Sequence, residues 1–369
     1  MNLIRYGRLA GIGLVGTLAL AACGSDNNTS PGSSSAGGGA AAIACKTGSI
    51  KASGSSAQAN AMTTWINTYQ QACSGATVDY SPSGSGAGVQ DFENNQTAFA
   101  GSDSALKAAD ATKAAARCGS GNKAIDLPMV VGPIAVAYNL SGQNGLVFTP
   151  DVLAKIFAGK ITKWSDPAIK ALNSSATLPD SSIVTFHRND SSGTTDNFTK
   201  YLTAAAPASW TYSHDKTWKA PGGQGAKGSD GVAAALKQTP NSLGYVEYSF
   251  TQQGGLEVAK IDNGGGPVDL TPANAAAAVS AAQITGTGND LTLSLDYTTK
   301  TAGAYPIVLV TYEITCEKGL PAGELDLTKS FLTYVSSSAG QAKLSAASGY
   351  APLPAALLTK VQAAVAAIS

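Results

Sequence analysis

The stretch FHRNDSSGTTDNFT, Phe186 to Thr199, decides the fold class, because it joins an apolar strand end to a helix start through a short polar loop. Such a junction presents free backbone N–H groups and the positive end of a helix dipole. The loop also carries Arg188, Asp190 and a run of small hydroxyl residues. The stretch therefore predicts one of two things, an ordinary helix cap or a socket for an anion.

Two further segments have the same character, ASGSSAQ (Ala52 to Gln58) and SPSGSGAGV (Ser81 to Val89). A serine before a helix is usually an N-cap, so each junction alone is weak support for an anion site. Three junctions in one chain strengthen it. The chain contains no G-x-x-x-x-G-K-[ST], and GSGAG (Gly84 to Gly88) lacks the G-x-G-x-x-G spacing, so we expect no nucleotide and no other cofactor.

Short apolar runs alternate with helical patterns around these junctions. This βαβ rhythm predicts an α/β fold with mostly parallel sheets. Two longer apolar strand patterns, each containing proline, are candidates for hinges between two lobes. The predicted strands are 49–52, 77–80, 98–101, 125–139 and 305–312, and the predicted helices are 57–71, 89–95, 104–117, 149–157, 273–283 and 353–368.

The charge balance limits the possible ligands. Lys plus Arg and Asp plus Glu both number 24, and no basic run follows the N-terminal segment. Nucleic-acid binding and membrane-surface binding by bulk charge are therefore disfavoured, and a charged ligand must be held by local geometry. With two histidines and no C-x-x-C spacing, we expect no metal site.

The N-terminus has the pattern of an export signal. Arg5 and Arg8 precede an apolar run, Gly11 to Leu20, which is too short to span a bilayer. LAAC, Leu20 to Cys23, resembles a bacterial lipobox, which predicts a signal peptide at 1–22 and a lipidated Cys23. Residues 23–44 are mostly small and polar and are expected to form a flexible linker.

The other four cysteines form an even set, as expected for disulfides in an oxidising compartment. Three pairings are possible. Cys45 precedes a predicted strand and Cys73 follows the helix that returns from it, so we favour Cys45 with Cys73 and, by remainder, Cys118 with Cys316.

Charged residues beside the junctions suggest which anion is bound. Arg188 could offer a bidentate fork, unless it is an ordinary surface arginine, and Asp190 could orient it or cap the helix. Asp103 follows a buried-looking strand and could cap a helix starting at Ser104. As an ionised carboxylate it could instead only accept hydrogen bonds, which tolerates an anion that carries a proton. Hydrogen phosphate carries such a proton near neutral pH, whereas sulfate does not.

Several segments together resemble one family, the phosphate-binding PstS family, which comprises the substrate-binding lipoproteins of bacterial phosphate-specific ABC transporters. The actinobacterial branch is the most similar. The resemblance covers essentially the whole mature domain, in order. Its segments are KASGSS (51–56), YSPSGSGAGV (80–89), FAGSD (99–103), LPMVVG (127–132), IFAGKITKWSDPAI (156–169), RNDSSGT (188–194), GAKGSDG (225–231) and LGYVEY (243–248).

The resemblance implies a two-lobed periplasmic-binding-protein fold of type II, in which each lobe is a central mixed sheet flanked by helices and hinge strands link the lobes. Lobe I would comprise 45–127 plus 304–369, and lobe II 128–303. Asp190 would brace the arginine, and the loop 224–231 is a secondary candidate. The family's phosphate contacts fall on Ser56, Ala57, Ser85, Asp103, Arg188, Ser192, Gly193 and Thr194.

The implied function is binding of inorganic phosphate and its delivery to a membrane-embedded permease, by a monomer that is lipid-anchored to the outer face of the cell membrane. Two alternatives remain open, a binding protein for another tetrahedral oxyanion and a phosphate-sensing or surface lipoprotein without a transport role. An enzyme would need a base beside a loop serine. His187 is the only histidine near a loop and no G-x-S-x-G is present, so we expect no catalytic residue.

Overall fold

The computed structural model describes residues 43–252, 254–344 and 348–369. The predicted signal peptide, Cys23 and the linker up to residue 42 lie outside these residues. Ala41–Ser369 forms one compact unit. None of the described helices is long and apolar enough to cross a membrane.

Strands and helices alternate over residues 48–117 and 184–247, as the sequence predicts, whereas later in the chain several strands or several helices follow one another. The strands are β1 (Gly48–Gly54), β2 (Ala76–Ser81), β3 (Phe99–Ser102), β4 (Ala124–Asn139), β5 (Val147–Phe148), β6 (Val184–Arg188), β7 (Gln224–Ala226), β8 (Ser242–Glu247), β9 (Glu257–Val258), β10 (Lys260–Asp262), β11 (Pro267–Val268), β12 (Gln283–Ile284), β13 (Leu293–Ser294) and β14 (Val308–Cys316). The helices are α1 (Ala59–Ala72), α2 (Ser85–Glu93), α3 (Ala108–Arg117), α4 (Pro150–Phe157), α5 (Pro167–Leu172), α6 (Gly193–Ala205), α7 (Gly228–Gln238), α8 (Pro272–Ser280), α9 (Ala322–Val335), α10 (Ser338–Gln341) and α11 (Ala355–Ala366).

A nine-stranded sheet organises the fold, in the order β2-β1-β3-β14-β4-β8-β6-β7, with β9 also paired to β4. The flanks are parallel, since β1 pairs with β2 and β3, and β6 pairs with β7 and β8. The centre is antiparallel, because β14 runs against β3 and β4, and β4 runs against β8. The predicted α/β class and mixed sheet are confirmed. The expectation of mostly parallel pairing holds only at the flanks.

The long strand β4 joins the two halves of this sheet. Its 16 residues are buried almost throughout, which explains the continuous apolar run. The part before Ile134 pairs with β14, and the part from Ile134 onwards pairs with β8. Pro128 stands where the register with β14 shifts, as expected for a residue that has no N–H to donate to the ladder.

Several predicted boundaries differ from the structure, and α2, for example, begins at Ser85 and not at Val89. β14 begins at Val308 and not at Tyr305, because Pro306 cannot donate a ladder hydrogen bond. Helix α3 begins at Ala108 and not at Ser104. The Ser104 hydroxyl donates to Asp196 at 2.6 Å and the Leu106 N–H donates to the Asp126 carboxylate at 3.1 Å, so this segment bonds to other parts of the fold.

Both favoured disulfides are confirmed, Cys45–Cys73 and Cys118–Cys316. The first ties the start of β1 to the end of α1, and the second ties the end of α3 to the end of β14. The helix predicted at 353–368 is present as α11, in which Val361 and Val365 are buried, and Ile368 is buried just beyond its end. The two disulfides and the C-terminal helix stabilise the half of the sheet that carries the first two polar junctions.

Candidate functional site

The three polar junctions predicted from the sequence lie at carboxyl ends of strands in the large sheet. They connect β1 to α1, β2 to α2 and β6 to α6. The end of β3, which carries Asp103, and the turn from β7 into α7, which carries Ser229, lie against them through the hydrogen bonds described below. Helix N-termini from both halves of the sheet therefore converge on one place, a favourable setting for an anion.

Arg188, the last residue of β6, is 2% exposed. Its Nε donates to Oδ1 of Asp190 at 2.6 Å, and its Nη2 donates to Oδ2 of the same carboxylate. Burial opposes ionisation of Asp190, but the hydrogen bonds and charge of Arg188 hold its pKa below the usual value. Arg188 is thus a buried, braced cation, and the surface-arginine interpretation is wrong. Ser192, not Asp190, caps α6.

Asp103 faces Arg188 from the other half of the sheet and is 3% exposed. Its Oδ1 accepts hydrogen bonds from the hydroxyls of Ser55 and of Thr311, the latter at 2.9 Å, and its Oδ2 accepts from Thr194 Oγ1 at 3.2 Å. Burial raises the pKa of Asp103, although these hydrogen bonds and the charge of Arg188 act in the opposite direction. Asp103 is not a helix cap, because the N-cap of α3 is Lys107.

Ser85 and Gly193 are the first residues of α2 and α6, and a hydrogen bond connects them. The Ser85 hydroxyl oxygen accepts from the Gly193 N–H at 3.1 Å and from the Asp103 N–H at 3.2 Å. A Cβ at position 193 would lie 2.6 Å from both Ser85 Oγ and the Asp103 Cβ. Glycine is therefore required there for the two helix ends to approach this closely.

Ser56 and Ala57 line the β1–α1 junction. Ser56 Oγ accepts from the Ser229 N–H at 3.0 Å, and the two serine hydroxyls lie 3.1 Å apart. The Ala57 N–H donates to Ser55 Oγ at 3.1 Å. Ser229 also accepts a hydrogen bond from Arg188 Nη1 at 3.4 Å. The side chain of Ser229 therefore connects Ser56 of the β1–α1 junction to Arg188.

Ser192 and Thr194 complete the set at the start of α6. The Ser192 hydroxyl accepts from the Thr195 N–H at 3.1 Å, so in this structure it serves as the cap. Ser192 and Thr194 are both buried. All eight predicted ligand residues, together with Asp190, therefore lie in the three converging junctions and the end of β3.

Comparison with known proteins shows the family of the chain. Residues 39–339 match the PBP superfamily domain. The chain is 44% identical to the phosphate-binding protein PstS 3 of Mycobacterium tuberculosis and 43% identical to that of Mycobacterium leprae, in each case over the whole of both chains.

The chain belongs to the phosphate-binding protein PstS family. Among solved structures, this PstS-family chain is similar to a high-affinity periplasmic phosphate-binding protein bound with phosphate, with a TM-score of 0.68 and 23% identity, covering 85% of this chain and 93% of that one. The phosphate-binding protein of Stenotrophomonas maltophilia gives a TM-score of 0.68 at 21% identity, covering 86% and 94%. At these identities the likeness shows the periplasmic-binding-protein fold.

Sequence reasoning missed three residues that contact the predicted set in this PstS-family chain. Ser55 and Thr311 both donate to Asp103, and Ser229 joins Ser56 to Arg188. The sequence contains a signal for Ser229, because this residue lies in the loop 224–231, which resembles the family and is a secondary candidate. The sequence contains no such signal for Thr311, since this residue is a single hydroxyl within an apolar strand pattern.

Proposed function

We propose that this chain binds inorganic phosphate as hydrogen phosphate at the converging junctions and delivers it to an ABC transporter permease. One observation carries the proposal: a buried arginine braced by Asp190 lies in the same site as a buried carboxylate, Asp103. Arg188 supplies attraction for any oxyanion. Asp103 supplies the selection among oxyanions.

The selection follows from the hydrogen bonds of Asp103. An ionised carboxylate can accept about four hydrogen bonds. Asp103 accepts three from protein hydroxyls, on Ser55, Thr311 and Thr194, which leaves room for one more donor. The proton of hydrogen phosphate fills that position, whereas sulfate would place a lone pair against a buried acceptor. The mismatch costs on the order of a few kcal/mol.

The remaining predicted residues supply donors. We propose that the hydroxyls of Ser56 and Ser85 and the N–H groups of Ala57 and Gly193 exchange their present partners for the phosphate oxygens, while Thr194 keeps its hydrogen bond to Asp103 and holds that carboxylate toward the phosphate. Ser192 contributes through the helix start that it caps. Each of these N–H groups donates to a neighbouring hydroxyl in the present structure, so phosphate would replace one hydrogen bond with a charge-assisted one.

The setting we propose is extracytoplasmic. Two disulfides suit an oxidising compartment, and relatives across the full chain are named as phosphate-binding proteins. We propose that Cys23 carries the lipid anchor on the outer face of the cell membrane and that the monomer closes by movement of a lobe formed by 45–127 and 304–369 against a lobe formed by 128–303. No reaction is assigned to the site.

Calorimetric titration of residues 41–369, stripped of bound phosphate, tests this function. We expect one-to-one binding of phosphate near neutral pH and no response to sulfate. Equal binding of both anions would favour a general receptor for tetrahedral oxyanions. Binding of neither anion would favour a surface lipoprotein and would contradict the proposal.

A further inference from the structure

A buried acid outside the anion site has no evident role in the fold. Glu313 lies in the middle of β14, opposite Gly101 of β3 and Leu127 of β4, and is 0% exposed. Within the described part of the chain, neither of its carboxyl oxygens has a hydrogen-bond partner of good geometry, although the Gln58 amide lies close enough to affect its ionisation. A buried acid in this state requires an explanation, because unpaired buried polar groups are costly.

Gln58 leads from Glu313 to the anion site. It is fully buried, and its Nε2 donates to the Tyr80 hydroxyl at 3.0 Å. Tyr80 donates in turn to the backbone oxygen of Ser55 at 2.8 Å. The Ser55 hydroxyl donates to the Asp103 carboxylate. Hydrogen bonds on both sides of Ser55, joined through the covalent structure of that residue, therefore connect the neighbour of Glu313 to the residue that selects the anion.

Gly101 makes room for this series. A Cβ at position 101 would lie 2.1 Å from Gln58 Nε2 and 2.6 Å from the Tyr80 hydroxyl. Because Gly101 of β3 has no side chain, Gln58 can pass over this strand and lie near both Tyr80 and Glu313. The route passes from the sheet through the β1–α1 junction, in which Ser55 and Gln58 lie.

We propose that Glu313 is a positioning residue of the anion site, which holds the Gln58 amide and, through Tyr80 and Ser55, fixes the direction of the Asp103 carboxylate. The inference rests on the proposed phosphate function.

The protonation of Glu313 explains how it can hold an amide. Burial raises the pKa of Glu313 to about 8, with the Gln58 amide lowering it and the charge of Asp103 raising it. The ionisable groups that face it are Asp103, beyond β3, and Tyr80 of β2, whose own pKa burial raises well above the usual value. Near pH 7 Glu313 is therefore a neutral acid with one O–H to donate. Gln58 Oε1, which is buried and has no hydrogen-bond partner among the described residues, is the acceptor that such a donor would satisfy.

Ionisation would reverse this arrangement. Above the pKa the carboxylate can only accept, so Gln58 Oε1 would lose its donor, and Glu313 would draw the second N–H of the amide toward itself and shift the amide that donates to Tyr80. The new charge would also repel Asp103. Phosphate affinity should therefore fall as pH rises through about 8, in addition to any effect of the titration of phosphate itself.

The test compares the full chain with Glu313→Gln, which keeps a neutral donor, and with Glu313→Met, which keeps the length without a polar group. Phosphate affinity is measured by calorimetry from about pH 6.5 to about pH 9.5. The ratio of wild-type to Glu313→Gln affinity at each pH cancels the titrations that the two proteins share. We expect similar affinities at pH 7, a wild-type loss of about tenfold or more relative to Glu313→Gln at the alkaline end, and about tenfold weaker binding by Glu313→Met at every pH. A ratio that is constant with pH, or Glu313→Met equal to Glu313→Gln, would overturn the inference.

A second readout separates this inference from the proposed function. The NMR signals of the Gln58 side-chain amide, without phosphate, should shift with a midpoint near pH 8 in the wild type and stay constant in Glu313→Gln. The absence of this shift contradicts the role of Glu313 even if phosphate binds. Its presence, in a chain that does not bind phosphate, contradicts only the proposed function.

Discussion

Replacing Arg188 with lysine tests whether the site depends on the geometry of the guanidinium or on its charge alone. Arg188 is 2% exposed and makes two hydrogen bonds to Asp190 and a longer one, 3.4 Å, to Ser229. Lysine keeps the positive charge but cannot form the planar fork. The substitution therefore removes directed hydrogen bonds and leaves the attraction.

The magnitude follows from the burial of the pair. The Asp190 side chain is 11% exposed, so a lysine would leave part of that carboxylate without a donor. Truncating one partner of a buried, hydrogen-bonded charge pair across a binding interface costs about 2 to 5 kcal/mol, and in the proposed site Arg188 and the phosphate form that pair. Because lysine keeps the charge, we expect about 2 to 4 kcal/mol, which weakens phosphate binding roughly 30-fold to 700-fold.

Arg117 provides the matched control. Its side chain is 1% exposed and pairs with Glu324 at 3.2 Å, outside the proposed site. Calorimetric titration and thermal unfolding are measured for Arg188→Lys, Arg117→Lys and the wild type. We expect Arg117→Lys to lose stability and keep its phosphate affinity. Near-wild-type affinity in Arg188→Lys, or an equal loss of affinity in both variants, would refute the reasoning.

Three further changes have defined outcomes. Gly193→Ala should weaken phosphate binding about tenfold or more by calorimetry, because overpacking of about 1 to 3 kcal/mol at the contact of α2 with α6 opposes closure. Asp196→Asn should lower the free energy of unfolding in urea by about 2 kcal/mol at pH 7, since burial opposes ionisation of Asp196 but the charge of Lys200 and its hydrogen bonds bring its pKa to about 2. Replacing Cys118 and Cys316 by serine should lower the same free energy by about 5 kcal/mol, because their bond closes a loop of 198 residues.

Each of these outcomes has its own check. Gly231→Ala adds a methyl at a place where its nearest neighbours would be 3.9 Å away, so it should leave phosphate binding unchanged. The Asp196 contribution to stability is complete above pH 3.8 and disappears as the pH falls to about 2, so the two proteins should converge in acid. A difference that persists at pH 2, or a cysteine pair whose removal costs less than 1 kcal/mol, would contradict the assignments.

The parts of the fold that depend on local pattern could be predicted from the sequence. The junctions at Ser56, Ser85 and Arg188 carry glycine and small hydroxyl residues whose use at strand-to-helix turns is general. The continuous apolar run of β4 gave its bounds almost to the residue. The pairing of Cys45 with Cys73 followed from the positions of the two cysteines at the ends of neighbouring elements, and the pairing of Cys118 with Cys316 followed by remainder.

The parts that depend on distant contacts could not be predicted in this way. Thr311 reaches Asp103 only because β14 pairs with β3, although the two residues lie 208 positions apart. The late start of α3 depends on Asp196 and Asp126, which bond to the segment before it. The composition of β14 does not indicate in which direction the strand runs. The antiparallel pairing at the centre of the sheet therefore could not be predicted from the sequence.

The most direct test of the account is the ratio of phosphate to sulfate affinity in the wild type and in Asp103→Asn, measured by competition calorimetry at neutral pH. Asparagine can keep the Ser55 and Thr311 hydrogen bonds on its oxygen, while its amide N–H₂ replaces the oxygen that faces Thr194. Sulfate then meets a donor and not an acceptor. We predict that the ratio falls by about 30-fold or more, the equivalent of about 2 kcal/mol. An unchanged ratio would contradict the central claim that Asp103 selects the anion by its proton.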